Sequence, residues 1–349
     1  MPRHLETRAP YARSMTDATP HDDLLDGARG RRLCFSLLTS AFPELWRMAF
    51  YAKSSEDEVL ELARAVADAS AALDDASLLD ALEDATSTAK YWQPADETDF
   101  MLLRDELRAA LEPTARRVER SEAAAWWWSP IALDDQHYVQ WIDEYEMQPP
   151  ALADAASRLG AWRANAQREE ERSADRAADV TANHSGSWWS TPALVEMVTT
   201  TRARPDLAAV KLRLVEDALG WTEARVVPLR PRSAPRVFEI TGRSAWARLV
   251  ARYPLDVTLS RRHDWWRVTG LDERWAIPDW QAVAAEFDAV HLTVAGYLTT
   301  AGTAIPVGEA FTLLAGWNPD ETYWLSDILE PAGPMTNWCR DDVAWSRDA

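Results

Sequence analysis

From residue 56 onward, Val59, Leu62, Val66, Ala69 and Leu73 recur at alternating spacings of three and four, the stripe that one face of a helix presents to a core. Ser55, with Glu58 three positions later, has the form of a capping box at its start. Leu78, Leu82, Ala85, Ala89 and Trp92 repeat the stripe, and Gln93-Pro94 closes it because proline excludes its predecessor from helical angles. Phe100, Leu103, Leu107 and Leu111 predict a third helix punctuated by Pro113. Leu152, Leu159 and Trp162 open a further helix, whose charged end from Gln167 reads as solvated. Short polar joints between these segments imply antiparallel packing.

At TANHSGSWWSTP the composition shifts toward turn residues, and beyond it the period changes. AAVKLRLVE sets Val210, Leu212 and Leu214 against Lys211 and Arg213, the alternation of a half-buried strand. ARVVPLRP, PRVFEITG, AVHLTV, FTLLAGW and TYWL are further strand candidates. SAWARLVARY and PDWQAVAAEF read as helices, and DWWRVTG and RWAI as a hairpin. Strands in groups around single helices predict an α+β class, with an all-α N-terminal domain followed by a mixed domain whose sheet is mostly antiparallel. The expected division is a flexible leader over 1–23, a helical domain over 24–178, a linker over 179–190 and the α+β domain over 191–349, with Met15 as an alternative start.

A length of 349 residues suits two domains, and no uncharged apolar run approaches the roughly 18 residues of a membrane span. No membrane partner is expected. Cys34 and Cys339 lack companions at metal or redox spacing, which with the absence of a secretory signal pattern favours a cytoplasmic protein without structural zinc. A net charge of −19 argues against nonspecific binding to nucleic acid or anionic membranes. The charge is uneven, since residues 225–274 hold eleven arginines against five acids. Arginine's planar fork suits phosphate and carboxylate, so an anion site there stands beside internal pairing with the acidic remainder of the chain.

The chain carries no P-loop, GxGxxG, HExxH, GxSxG, EF-hand or kinase motif, and it assigns no cofactor. In SRRHDWWRVTG, taken as a strand, Arg262, His263, Trp265 and Arg267 are candidate ligand-binding residues, the indole stacking a planar group and the arginine holding an anion. His291 is the candidate proton-transfer residue, with Asp279 or Asp288 to orient it, and Glu321 after the Asn318-Pro319-Asp320 turn is a second catalytic candidate. Nineteen tryptophans include the runs Trp126–Trp128, Trp188–Trp189 and Trp265–Trp266, whose members cannot all face one core.

Two functions follow. One is binding of a small anionic or nucleotide-like molecule in the C-terminal part or at the junction, with a group transferase as its enzymatic form; an NAD-using ADP-ribosyl transferase would be one case. The other is a noncatalytic interaction module that docks a protein partner through tryptophan-rich surfaces and the acidic helical part.

Overall fold

The computed structural model describes residues 22–51, 56–69, 74–142, 152–193, 197–205, 207–341 and 344–348. Most of the expected leader, Ser55 and Leu73 lie outside the described residues. The N-terminal part is helical: α1 (Ala28–Ala41), α2 (Pro43–Tyr51), α3 (Glu56–Asp68), α4 (Asp75–Ser87), α5 (Glu97–Leu102), α6 (Asp105–Glu119) and α7 (Ala155–Ser173). Helix α1 is its axis, packing on α2, α4, α5 and α6 with Leu33, Cys34, Leu37 and Leu38 buried. The stripe residues Val59, Leu62, Val66, Leu78, Leu82 and Ala85 face this core.

Among the described residues the strands form four sheets. Strands β1 (Gln136–Trp141), β3 (Glu223–Pro231), β12 (Thr336–Arg340) and β13 (Trp345–Arg347) run in that spatial order, with β11 (Leu329–Pro331) also on β3. A second sheet has the order β2 (Thr199–Thr200), β10 (Thr322–Trp324), β7 (Ala289–Leu292) and β4 (Val237–Ile240). Two ribbons complete the set, β5 (Pro254–Asp256) with β6 (Ala276–Pro278) and β8 (Ile305–Val307) with β9 (Ala310–Thr312). Only β4 and β7 pair in parallel among the described strands; the chain is α+β with a helical N-terminal part. Between β4 and β7 come α8 (Arg243–Arg252), α9 (Thr258–Thr269) and α10 (Trp280–Val283), and α11 (Val294–Thr300) follows β7. No described helix is long and apolar enough to cross a membrane.

One hydrophobic cluster joins Leu33, Leu62 and Leu82 of the helices to Trp246, Trp280, Val290 and Trp317 of the C-terminal part. Trp246 and Trp280 both meet Trp317 edge-on, at centroid distances of 6.4 and 5.5 Å. Trp188 packs on this cluster, and Trp189 lies against Gly316, whose φ of 73° and closeness to the indole's Cβ leave no room for a side chain.

Several elements depart from the expected ones. DWWRVTG belongs to helix α9 and makes no hairpin with RWAI. End interactions decide this: Asp256 accepts the Thr258 N–H, Glu170 accepts those of Leu259 and Ser260 at 2.6 and 2.9 Å, and Gly270 closes the helix at φ 72°. The charged end of α7 is therefore engaged rather than simply solvated. AAVKLRLVE forms a 3-10 turn over Val210–Leu212, and Val210, Leu212 and, just beyond it, Leu214 are still buried. Gln136–Trp141, inside the span read as helical, is strand β1 and pairs with β3. The third helix is two, α5 and α6, because Arg104 adopts extended angles; Phe100 and Leu103 are exposed, and Pro113 sits inside α6. Helix α4 ends at Ser87, which leaves Trp92 outside it and exposed.

Candidate functional site

The parallel pairing of β4 and β7 sets Glu239 beside His291, and β10 on the other side sets Thr322 opposite His291. Two residues before Thr322, Asp320 takes left-handed angles at φ 60°, and its carboxylate faces both His291 and Arg202. The result is a row of alternating charge, buried except at its Glu239 end. The Glu239 carboxylate lies 2.6 Å from Nδ1 of His291, Asp320 lies 3.4 Å from Nε2, and Arg202 donates to Asp320 through Nε at 2.6 Å and through its backbone N–H at 2.9 Å. Burial opposes a charge on His291, but the hydrogen bonds to Asp320 and then to Glu239 outweigh it and raise its pKa above the ordinary histidine value. The imidazolium form is thus favoured, and both ring nitrogens face carboxylates.

The row is tied to the N-terminal half at both ends. Glu239, about 25 % exposed, accepts the Ile131 N–H at 3.0 Å, and Arg202 donates to the Pro130 carbonyl at 3.0 Å. Beside it, Glu321 pairs with Lys211 and accepts both the backbone and side-chain N–H groups of Asn318, while Lys211 also donates to Thr199 at 2.9 Å.

Arg202 also lies on the indole of Trp126, 5.4 Å from the ring centroid, and Arg204 lies 5.1 Å from the same ring. Trp126 belongs to the 3-10 turn Glu122–Trp128 and forms a wall of a cleft of about 400 Å³ between α4, this turn and the β12–β13 end of the first sheet. Arg204, Arg213, Arg340, Trp127 and Trp345 line it too. Arg213 is held by Asp80 and Glu83, and Arg340 by Glu83 at 3.2 Å. Among the described residues, no carboxylate pairs with Arg204. The cleft lining thus carries Arg204 on an aromatic face, together with Arg213 and Arg340, both held by carboxylates, and the acid Asp75.

No protein family, curated protein or solved structure matches this chain.

The structure brings His291 and Glu321 into neighbouring polar groups through Asp320, and it places the remaining candidates elsewhere. Arg262 donates to the carbonyls of Arg176 and Ala177, and Arg267 to that of His184 and, at 2.6 Å, to Asp264. The Trp265 indole N–H donates to the Trp188 carbonyl at 2.7 Å, and His263 is buried against His184. Together these residues of α9 fasten the segment 176–188. Asp279 caps α10 and pairs with Arg163 at 2.6 Å, while Asp288 pairs with Arg236; the partners of His291 are Glu239 and Asp320 instead. Other arginines of the basic window also meet acids, Arg230 with Glu330, Arg252 with Glu286, Arg261 with Glu169 and Arg274 with Asp256. Sequence reasoning missed Glu239, Asp320, Arg202, Lys211 and Arg204. The available signal was a lone acid inside VFEI, a polar residue in a strand otherwise fit for burial.

Proposed function

We propose that the protein binds a planar anionic, nucleotide-like molecule in the Trp126 cleft. One observation carries this reading: Arg204 lies on Trp126 without a carboxylate partner among the described residues, at the wall of a cleft of about 400 Å³. That volume falls within the roughly 300–1,000 Å³ of small-molecule sites. In this reading the ligand's ring packs at the indole wall and Arg204 takes its charge, while Arg213 and Arg340, held by Asp80 and Glu83, shape the same cleft. His291 acts as a positioning residue, holding Asp320, which holds Arg202 on Trp126. A group-transfer reaction of such a ligand is the enzymatic form of the proposal, and two thiols without a disulfide are in keeping with a cytoplasmic setting.

A thermal-shift panel of nucleotides, dinucleotides, sugar phosphates and organic acids tests the proposal. A ligand that binds only the folded state raises Tm with its concentration. The expected result is a dose-dependent rise with at least one nucleotide and a loss of about tenfold or more in affinity for Arg204→Ala or Trp126→Ala. A rise unchanged by both substitutions, or no rise with any compound, would refute it.

A second observation favours the interaction reading. On α2, Trp46 and Tyr51 are 54 and 72 % exposed, and Phe50 between them stacks on Trp46 at 5.7 Å and meets Tyr51 edge-on at 5.3 Å. Two exposed large aromatics, Trp46 and Tyr51, on one short helix form the kind of surface that anchors a partner. Capture of a partner by the immobilised protein, lost with the double substitution Trp46→Ser and Tyr51→Ser, is the result expected of that reading; equal capture by the variant would remove its basis.

A further inference from the structure

Lys211, Asn318 and Glu321 do not line the Trp126 cleft, and the ion pair between Lys211 and Glu321 has a third member. Lys211 comes from the 3-10 turn Val210–Leu212, and Asn318 and Glu321 from the turn that leads into β10. The two oxygens of Glu321 hold different groups. Oε1 accepts from the Lys211 ammonium, and Oε2 accepts from Asn318 Nδ2 at 3.0 Å and from the Asn318 backbone N–H at 3.2 Å. One carboxylate therefore bridges an amine and a carboxamide.

The carboxamide is fixed at its other atom too. Its Oδ1 accepts the backbone N–H of Glu216 at 2.9 Å. Glu216 is itself anchored to this turn, since its Oε2 accepts the N–H groups of Gly316 and Trp317 at 2.7 and 3.1 Å. The Glu321 and Lys211 side chains are 2 and 14 % exposed, which keeps bulk water from competing for the amide carbon. Pro319 follows Asn318 and has no N–H, so attack by the next backbone nitrogen, the route that commonly consumes an asparagine amide, is closed.

These groups supply each part that aminolysis of an amide requires. Within the buried pair, Lys211 passes a proton to Glu321 and becomes a neutral amine, the form that burial favours. Nζ then attacks Cγ of Asn318, forming a new C–N bond, and the charge that develops on Oδ1 is met by the Glu216 N–H. Glu321 gives its proton to Nδ2 and takes one from Nζ. The Cγ–Nδ2 bond breaks, and ammonia leaves with that last proton as ammonium. No oxidant, reductant or further reactant enters, and Glu321 ends as the carboxylate with which it began.

We propose that Lys211 and Asn318 become joined by an autocatalytic isopeptide bond, with Glu321 as its catalytic residue. The bond ties the segment after β2 to the turn that carries Asp320. Arg202 and Asp320, themselves an ion pair, stand on the two segments so joined and are held in register by a covalent clamp.

Mass spectrometry of the full chain, incubated folded at neutral pH and then denatured, tests this. The wild type is expected to weigh one ammonia less than its sequence, and its digest to contain a branched peptide joining the Lys211 and Asn318 segments. Lys211→Arg and Glu321→Gln are expected to keep the masses of their sequences and to yield linear peptides. Should either variant fail to fold, the wild-type digest still decides. A folded wild type at full sequence mass, with Lys211 and Asn318 in separate linear peptides, would overturn the proposal and leave a plain ion pair. Loss of ammonia without the branched peptide would overturn it as well, and a branched peptide from folded Glu321→Gln would overturn the role given to Glu321.

Discussion

A histidine between two carboxylates is charged because its partners are, and His291 makes this concrete. Its pKa is raised in the fold, so the stability it contributes is fully present below the unfolded value of roughly 6.5 and is lost as pH rises through the raised folded value. Replacing it by glutamine leaves Glu239 and Asp320 without their shared cation. Since breaking a buried charge network by removing one member costs about 3–5 kcal/mol, His291→Gln is expected to destabilise by that order at pH 6 and by less at pH 9. Urea unfolding at the two pH values checks this, and an equal loss at both would mean that the charge on His291 does not matter. At this scale the sequence was partly legible. His291 and Glu321 stood out as titratable residues flanked by strand pattern, but the carboxylates that meet His291 come from 52 residues before and 29 residues after it, and the lysine that meets Glu321 from 110 residues before it. No local spacing reveals such contacts; the pairing of β4 with β7 and the left-handed turn at Asp320 create them.

Among the elements, α9 shows how end interactions override a local pattern. Its aromatic and β-branched residues resemble a strand, yet Glu170 on α7 takes the first free N–H groups of the helix and Gly270 ends it. Glu170→Ala is expected to cost about 1 kcal/mol, with faster amide exchange at Leu259 and Ser260, and hydrogen-exchange measurement reads this directly. Unchanged protection there would show that the α9 start is held by other contacts. The stripes of α3 and α4 were legible because one amphipathic face against a core is a local property. The break between α5 and α6 and the strand β1 were not, because each depends on packing against residues distant in the chain. The turn at Val210–Leu212 lies between these cases: its buried positions follow from the sequence alternation, but its backbone does not.

Across the whole molecule, one large core joins the helices to the second sheet, two smaller clusters lie under the first, and buried charges sit at the junctions. Glu216 is one such group. Its carboxyl is raised by burial to about 8, so protonation is favoured in the fold, and the stability difference this creates is lost as pH rises from the unfolded value of roughly 4.3 to about 8. Glu216→Gln keeps an acceptor for Gly316 and Trp317 but cannot ionise. Its Tm is expected to match the wild type near pH 5 and to exceed it near pH 8, and a variant less stable at both would show that the carboxyl is ionised in the fold. The row from Glu239 to Arg202 is the second junction, gathered from β4, β7, the Asp320 turn, the segment after β2 and the backbone at Pro130 and Ile131. That this row exists as a charged unit, and so holds Arg202 on the cleft-lining Trp126, is the central structural claim made for His291. The pH titration of His291 followed by NMR with labelled histidine, its signal identified by its absence in His291→Gln, tests the claim most directly. A midpoint above roughly 6.5 that falls in Asp320→Asn is the predicted result; a midpoint at or below that value, or one that Asp320→Asn does not move, would contradict it.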